Sequence, residues 1–92
     1  MFKVKFDPRK AAANLRKHRV SFDEAITVFT DPLRATIHDE EHSIDEERFI
    51  VLGQSTRGRI LFVVYTETDS SVRIIGARLA TATERKQYEE VS

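Results

Sequence analysis

The fold is decided by residues 48–78, which read RFIVLGQSTRGRILFVVYTETDSSVRIIGAR. Polar turns separate three apolar runs in this stretch, at residues 49–52, 59–66 and 72–77. Short apolar runs joined by turn residues predict strands connected by hairpins. The middle run is almost continuously apolar, which is typical of a central strand. The stretch therefore predicts an antiparallel β-meander.

Charged and aromatic side chains interrupt these apolar strands at Arg48, Arg59, Tyr65, Arg73 and Arg78. Burying an arginine is costly unless the side chain has a partner or a task. Several arginines on one small sheet therefore suggest a surface that binds phosphate, which points to RNA.

The N-terminal half predicts a strand and two helices. Residues 2–6 alternate apolar and basic side chains, as a half-buried strand does. Asp7-Pro8 begins a helix that ends near His18. Ser21-x-x-Glu24 is a capping box that begins a second helix, which Asp31-Pro32 ends.

The remaining segments complete the prediction. Residues 33–38 predict a short strand, residues 39–46 an acidic loop, and Thr81-x-x-Glu84 the capping box of a last helix that ends near Glu90. The predicted order is β-α-α-β-β-β-β-α. It predicts an α+β fold, a small and mainly antiparallel sheet with helices packed on it.

Composition bounds the class of protein. With 92 residues we expect residues 1–92 to form a single domain with a thin core. No apolar run approaches the roughly 20 residues of a transmembrane helix, and we find no signal-peptide pattern. The absence of cysteine excludes disulfides and thiolate metal sites. These features predict a cytoplasmic protein with no membrane contact.

The net charge is zero, but the charges are segregated along the chain. Residues 1–20 contain seven basic and one acidic residue, whereas residues 21–47 contain one basic and nine acidic residues. This asymmetry suggests opposed basic and acidic surfaces, suited to an anionic substrate and a basic partner. The alternative is an ordinary solvated surface on which the charges interleave.

Most catalytic motifs are missing from the sequence. It has no phosphate-binding glycine loop, no HExxH, no calcium-loop pattern and no nucleophile elbow. What remains is catalysis by bases, acids and cations without a metal. Metal-free RNA cleavage needs a base for the 2′-OH proton, cations for the crowded phosphorane, and an acid for the departing 5′-oxygen. Arginine suits the cationic role because its planar fork meets phosphate bidentately.

An ordered series of short motifs gives the sequence a recognisable pattern over nearly its whole length. The series is Phe6-Asp7-Pro8, Asn14-Leu15-Arg16-Lys17-His18, Val20-Ser21-Phe22-Asp23-Glu24-Ala25, Phe29-x-Asp31-Pro32, His42-Ser43, Glu46-Glu47-Arg48-Phe49, Gly58-Arg59, Val64-Tyr65-Thr66, Arg73-Ile74-Ile75-x-Ala77-Arg78 and Glu84-Arg85-x-x-Tyr88-Glu89. In this order the motifs resemble the BrnT family of toxins from bacterial toxin–antitoxin pairs, and more distantly the RelE-like ribonucleases. One departure is Phe6, where the family more often has tryptophan.

The resemblance implies a RelE-like fold and a cytoplasmic ribonuclease toxin that cleaves RNA and so inhibits translation. It implies a cognate antitoxin, a BrnA-like DNA-binding protein that covers the active surface. The pair would repress its own promoter, with DNA contacted only through the antitoxin. The neutral charge fits this, since a free DNA-binding protein is more often basic. No metal or other cofactor is implied.

Arg78 is the strongest candidate for binding the scissile phosphate, because it ends a strand and precedes a helix N-terminus, which favours anions. The structural alternative is a salt bridge to Glu84 or to the acidic loop. Arg73 is a second candidate phosphate contact. Strict alternation puts Arg73 and Arg78 on opposite faces, so their cooperation requires a bulge or twist near Gly76.

Proton transfer has four candidates, His42, Glu47, Tyr65 and Lys17. Tyr65 either stacks on a base or gives a proton, or it is a core tyrosine with its hydroxyl at the rim. Glu47 and Arg48 form either an acid–base and phosphate-binding pair or an ordinary ion pair. His42 is either a general acid or an exposed loop histidine without a role.

Basic residues that are candidates for contact with the RNA are Lys17, His18, Arg59 and Arg85. Lys17 and His18 end the first helix, where favourable interaction with the helix dipole is an alternative explanation.

Three functional hypotheses result. The leading one is a metal-independent endoribonuclease toxin. The alternative is a non-catalytic RNA- or antitoxin-binding protein, because no unmistakable catalytic dyad is present. A hydrolase with a metal at His38, His42 and nearby carboxylates ranks last, since a bare histidine pair is a weak signal.

Overall fold

The computed structural model describes residues 3–44, 46–68 and 70–91. Its helices and strands are, in chain order, β1 (Lys3–Phe6), α1 (Pro8–His18), α2 (Phe22–Ile26), β2 (Ala35–His38), β3 (Arg48–Gln54), β4 (Ile60–Thr68), β5 (Ser71–Leu79) and α3 (Ala82–Val91). Short 3-10 segments follow α2 and β2, at Thr27–Thr30 and Glu40–His42. The predicted α+β class is confirmed. Three residues named in the predictions lie outside the described residues. They are Phe2 of the predicted first strand, Asp45 of the acidic loop and Asp69 of the turn before the last strand.

The five strands form one sheet in the order β1-β5-β4-β3-β2. Strands β2 to β5 pair antiparallel, and β4 lies at the centre, as its apolar sequence predicted. Strand β1 pairs parallel with β5 and ends where Phe6 lies opposite Ile74. This parallel edge strand is a feature that the sequence pattern did not predict.

Helix α1 begins and ends as predicted. The Asp7 carboxylate accepts a hydrogen bond from the Arg9 N–H at 2.8 Å, and Pro8 is the first helical residue. At the other end Arg19 has a φ of 59°, and its N–H donates to the Leu15 carbonyl. This left-handed residue turns the chain toward α2.

Helix α2 is shorter than predicted. Ser21 caps it by accepting a hydrogen bond from the Glu24 N–H at 3.0 Å, but the helix ends at Ile26 and continues as the 3-10 segment. The Glu24 carboxylate does not complete the capping box. It is buried and binds Arg59 instead.

The core lies between the sheet and the first two helices. Alternation along β4 puts Leu61, Val63 and Tyr65 on the face that α1 and α2 cover, and all three side chains are buried. Close packing there requires Gly53 of β3, because a Cβ at this position would lie 3.0 Å from the Val28 Cβ. Each fully buried aliphatic side chain contributes about 1.5–3 kcal/mol.

Helix α3 begins with a complete capping box. The Thr81 N–H donates to Glu84 at 2.9 Å, and the Glu84 N–H donates to the Thr81 hydroxyl at 3.2 Å. Near its other end the buried Tyr88 donates its hydroxyl to Asp31. Among the described residues, no helix is long and apolar enough to cross a membrane.

Candidate functional site

The sheet face opposite the helix-covered core carries a row of polar and basic side chains. Arg48 of β3 and Arg73 of β5 both lie opposite Thr66 of β4, and Lys5 of β1 lies opposite Arg73. Since neighbouring strands are about 4.8 Å apart, Arg48 and Arg73 leave the sheet about 10 Å apart, with Thr66 between them. We call this surface, which also carries Arg78, the arginine face.

A β-bulge brings Arg78 to the arginine face. Ile75 is an extra residue in β5 that has no partner in β4, so the alternation of side chains reverses there. As a result Arg73 lies opposite Thr66 and Arg78 lies opposite Phe62, on the same side of β4. The two arginines leave the sheet about 13 Å apart. The bulge that their cooperation requires is present.

Arg78 is held by two neighbours. Its guanidinium binds both oxygens of the Glu84 carboxylate, at 2.8 and 3.0 Å, and lies 3.9 Å from the centre of the Phe62 ring. The hydrogen bonds to Glu84 hold the pKa of Arg78 above its ordinary value and the pKa of Glu84 below its own. About a third of the Arg78 side chain (34%) remains exposed. This group is a fixed cation that solvent, or an anion, can still reach.

Arg73 and Arg48 differ in their partners. Arg73 forms an ion pair with Glu46 and approaches the Thr66 hydroxyl at 3.4 Å. The Arg48 side chain has a buried Nε atom without a hydrogen-bond partner, and no carboxylate among the described residues forms an ion pair with it. A buried donor without a partner is costly. On the arginine face, Arg48 therefore differs from Arg73 and Arg78 in having no carboxylate partner among the described residues.

Glu47 does not join this cluster. It binds His38, and it lines a shallow surface cavity together with Phe49, whose ring stacks on Tyr65 in the core. Glu47 is thus on the helix-covered side, and the carboxylate at the arginine face is Glu46. His42 also lies apart, since its ring binds the Asp39 carboxylate at 2.9 Å in the acidic segment.

Tyr65 lies in the core on the side away from the arginine face. It is 5% exposed, and its ring packs against Phe49 and Phe29. Burial raises the pKa of the Tyr65 hydroxyl, and the nearby Glu67 raises it further. Its placement matches the structural alternative, a core tyrosine.

Lys17 and His18 lie on α1 where this helix passes the edge of β5. His18 lines a cleft together with Phe62, Gly76 and Arg78. Lys17 and His18 also line an adjoining cleft beside Ile75. The basic end of α1 is therefore continuous with the arginine face.

Arg59 and Arg85 lie elsewhere. Arg59 binds the buried Glu24 carboxylate through its Nε at 2.9 Å, and its guanidinium also donates to the Arg19 carbonyl at 3.1 Å. These contacts tie the end of α1 to α2. Arg85 is exposed on α3 and shares a cavity of about 630 Å³ with Arg59 and Glu89.

Sequence reasoning missed three residues at this site, Lys5, Glu46 and Asn14. The strand periodicity of residues 2–6 placed Lys5 on a polar face, but the parallel pairing that brings it beside Arg73 had no sequence signal. Glu46 was indistinguishable from its acidic neighbours. The Asn14 amide accepts a hydrogen bond from the Ala77 N–H and donates to its carbonyl, a contact between residues far apart in the chain.

Metal binding has no support from side-chain clustering. Within the described ranges, no group of three or more histidine, aspartate or glutamate side chains is placed to hold a metal ion. The arrangement offers several cations and one carboxylate on the arginine face, and one imidazole at its edge.

Comparison with solved structures shows the fold. The chain is similar to the crystal structure of the Brucella abortus ribonuclease toxin BrnT, with a TM-score of 0.69 and 19% sequence identity. The match covers 88% of this chain and 99% of the Brucella chain. A search of curated proteins finds no match.

The family is shown by a match that covers most of the sequence. Residues 6–84 match the family model described as the ribonuclease toxin, BrnT, of type II toxin–antitoxin systems. The chain belongs to the BrnT family.

Proposed function

We propose that this chain is a metal-independent endoribonuclease that cleaves RNA by attack of a ribose 2′-hydroxyl on the adjacent phosphate. The observation that carries the proposal is the presence of Arg48, Arg73 and Arg78 on one sheet face, with the β-bulge at Ile75 bringing the last two together. Guanidinium groups on a rigid sheet are preorganised to stabilise the charge of a phosphorane. We also propose that residues 1–92 act as a single toxin domain.

In this proposal the scissile phosphate binds between the guanidinium groups of Arg48 and Arg73, above the buried Thr66. Both arginines are rooted about 5 Å from Thr66, one strand spacing away on either side. Among the described residues no carboxylate competes with the phosphate for Arg48, whereas Glu46 competes for Arg73. Arg78, rooted about 13 Å from Arg73 along β5, binds another phosphate of the same RNA strand.

Proton transfer is assigned to groups on the arginine face. The Glu46 carboxylate, released from Arg73 by the incoming phosphate, removes the 2′-hydroxyl proton. The 2′-oxygen attacks phosphorus, and the bond from phosphorus to the 5′-oxygen breaks. Lys5, which lies opposite Arg73, protonates the departing 5′-oxygen, and a 2′,3′-cyclic phosphate remains on the other product. His42, Glu47 and Tyr65 are left out because their contacts lie on other surfaces.

The test is cleavage of a defined single-stranded RNA in EDTA, with the ends of the products mapped. Arg48→Gln and Arg73→Gln should each slow cleavage about 100-fold or more, as loss of one preorganised donor does. Arg57→Gln is the matched control, because Arg57 is largely exposed and lies near Glu24 on the helix-covered side. Cleavage that EDTA abolishes, or wild-type rates in both variants, would contradict the proposal.

The cellular role is proposed from family membership. RNA cleavage halts translation, and a cognate BrnA-like antitoxin that binds DNA neutralises the toxin and represses their promoter in complex with it. Expression of the toxin should arrest growth, and coexpression of the antitoxin should restore it. If purified protein cuts no RNA, the same assay with translating ribosomes separates a ribosome-dependent enzyme from an inactive protein.

A second candidate function is non-catalytic binding of RNA or of the antitoxin. It is favoured over catalysis by the carboxylate partners of Arg73 and Arg78, because a neutralised guanidinium stabilises the charge of a phosphorane less well. Strong, salt-dependent RNA binding without strand scission would support this function over catalysis.

A further inference from the structure

A small cleft separates α1 from the outer edge of β5, next to Arg78. Its volume is about 150 Å³, and it is lined by Asn14, His18, Phe62, Val64, Gly76, Ala77 and Arg78. Strand β1 leaves this edge open because its last pair joins Phe6 to Ile74. The cleft thus begins where β1 ends.

The walls of the cleft are fixed by main-chain contacts. The Asn14 amide group donates to the Val20 and Ala77 carbonyls at 2.9 and 2.8 Å, and its oxygen accepts from the Ala77 N–H at 3.1 Å. Asn14 therefore has its hydrogen bonds satisfied and acts as a rigid wall. Gly76 keeps the space open, since a Cβ built there would meet no heavy atom nearer than Asn14 Oδ1 at 3.8 Å.

The lining of the cleft is apolar on the side of β4, and His18 and Arg78 provide polar groups. Phe62 and Val64 project from β4 and provide an aromatic ring and a flat aliphatic surface. The His18 imidazole supplies one hydrogen-bond donor and one acceptor when neutral. Arg78 provides a fixed positive charge and lies with its guanidinium over the face of the Phe62 ring, 3.9 Å from the ring centre. A planar ring with polar edges, attached to an anion, matches these groups.

We propose that this cleft binds the nucleobase of the nucleotide whose phosphate Arg78 holds. The base packs on Val64 and on the part of Phe62 that Arg78 leaves uncovered, and it offers its polar edge to His18, while the attached phosphate binds the exposed side of Arg78. The inference rests on the proposed function, because it assumes that RNA crosses the arginine face. It adds a base-binding site to a surface that otherwise recognises only the backbone.

The protein surface next to the cleft, along which a bound RNA strand would continue, is also basic. A neighbouring cleft shares Asn14 and His18 and continues along α1 past Lys10 and Lys17, beside Ile75. A single strand that leaves the base-binding cleft can therefore follow α1 with its phosphates near lysines.

The experiment is an NMR titration of the full chain with the four nucleoside 3′-monophosphates, ribose 5-phosphate and inorganic phosphate, each alone. At least one nucleotide should bind about tenfold more tightly than ribose 5-phosphate, the size expected of one base–aromatic contact. Gly76→Val should fill the cleft and remove this difference while weak phosphate binding remains. Gly76→Ala is the matched control, because the additional methyl group meets only an ordinary contact.

His18→Ala provides a second test if Gly76→Val fails to fold, and it should also reduce the difference between nucleotide and ribose phosphate. Equal binding of nucleotides and ribose 5-phosphate, or shifts that cluster away from Phe62 and His18, would overturn the inference. Mononucleotide binding requires no cleavage, so the two proposals can fail separately. A protein that discriminates nucleotides but cuts no RNA loses the proposed catalysis, whereas one that cuts RNA without discriminating loses the base-binding cleft.

Discussion

Two glutamate–arginine pairs in this protein start from the same sequence motif and end in different environments. Glu24 and Glu84 each occupy the fourth position of an N-terminal capping box, after Ser21 and Thr81. The Glu24 side chain is 3% exposed and binds Arg59, whereas the Glu84 side chain is 19% exposed and binds both Arg78 and the Thr81 N–H. The motif fixes where a helix begins, but burial decides what its carboxylate does.

The difference separates an arginine with a structural role from one with a proposed functional role. Arg59 is part of the joint between α1 and α2, because it contacts both Glu24 and the Arg19 carbonyl. Arg78 lies over Phe62 on the arginine face and keeps an exposed side. An anion can reach the exposed side of Arg78, where Glu84 competes for the guanidinium, whereas an anion that reaches Arg59 must displace the buried Glu24.

The largest expected effect on stability is that of Glu24→Ala. Removing one partner of a buried ion pair leaves the other uncompensated, and we expect a loss of roughly 3 kcal/mol in the free energy of unfolding because Arg59 is partly exposed. Urea unfolding followed by circular dichroism measures it. Asp23→Ala, an exposed neighbour on the same helix, is the control, and equal losses in the two variants would remove the distinction between the pairs.

Tyr88→Phe tests how α3 is held in place to bring Glu84 to Arg78. Burial and the hydrogen bond to Asp31 raise the pKa of Tyr88 to about 12, so the hydroxyl remains a donor throughout the neutral range. Loss of a hydrogen bond to a carboxylate should cost about 1.5 kcal/mol. Tyr65→Phe is the matched control and should cost less; a larger loss at Tyr65 would show that α3 docks by other contacts.

Glu84→Gln should have opposite effects on stability and on RNA binding. We expect a loss of about 1 kcal/mol in stability, since the capping box and a partly exposed ion pair are weakened. Freed from its carboxylate, Arg78 should bind single-stranded RNA up to about fivefold more tightly, the equivalent of such a pair. Fluorescence anisotropy with a 2′-deoxy oligonucleotide measures binding without cleavage. Unchanged or weaker affinity would mean that Glu84 does not compete for Arg78.

The smallest expected effect is on how the free energy of unfolding depends on pH, which should differ between wild type and Glu84→Gln. The pKa of Glu24 is held below its ordinary value of 4.5 chiefly by hydrogen bonds from Arg59, and that of Glu84 by hydrogen bonds from Arg78. A lowered native pKa contributes stability that is complete above about pH 4.5 and is lost as the pH falls toward the native value. Unfolding between pH 6 and 3 should therefore show a smaller acid loss in Glu84→Gln than in wild type. If the free energy of unfolding falls equally with pH in both proteins, the pair of Glu84 and Arg78 contributes nothing to acid sensitivity.

Much of the fold could be predicted because local patterns agree with it. Asp7-Pro8 begins α1, Thr81-x-x-Glu84 begins α3, and the apolar run of residues 59–66 forms most of the central strand. These features depend on neighbouring residues alone. Helix α2 was predicted too long, because its apolar stripe continues into the 3-10 segment with nearly the same spacing.

The arrangement of the site depended on one residue that no pattern marks. Strict alternation put Arg73 and Arg78 on opposite faces, and the extra residue Ile75 reverses that result. From the sequence we named Glu47 beside Arg48, whereas the carboxylate that binds Arg73 is that of Glu46. A shift of one residue along a strand changes the face of the sheet on which a side chain lies. The sequence shows which residue types are present at the site, but it does not show on which face of the sheet each side chain lies.

Asn14 has a consequence for how the molecule behaves beside copies of itself. Beyond Ile74 the outer side of β5 has no neighbouring strand among the described residues, and exposed strand edges recruit other chains into aggregates. The Asn14 amide offers the Ala77 backbone the donor and acceptor that a peptide group would supply. A side chain cannot continue the ladder as a strand does, so this asparagine blocks edge-to-edge association at the place where the sheet would otherwise grow.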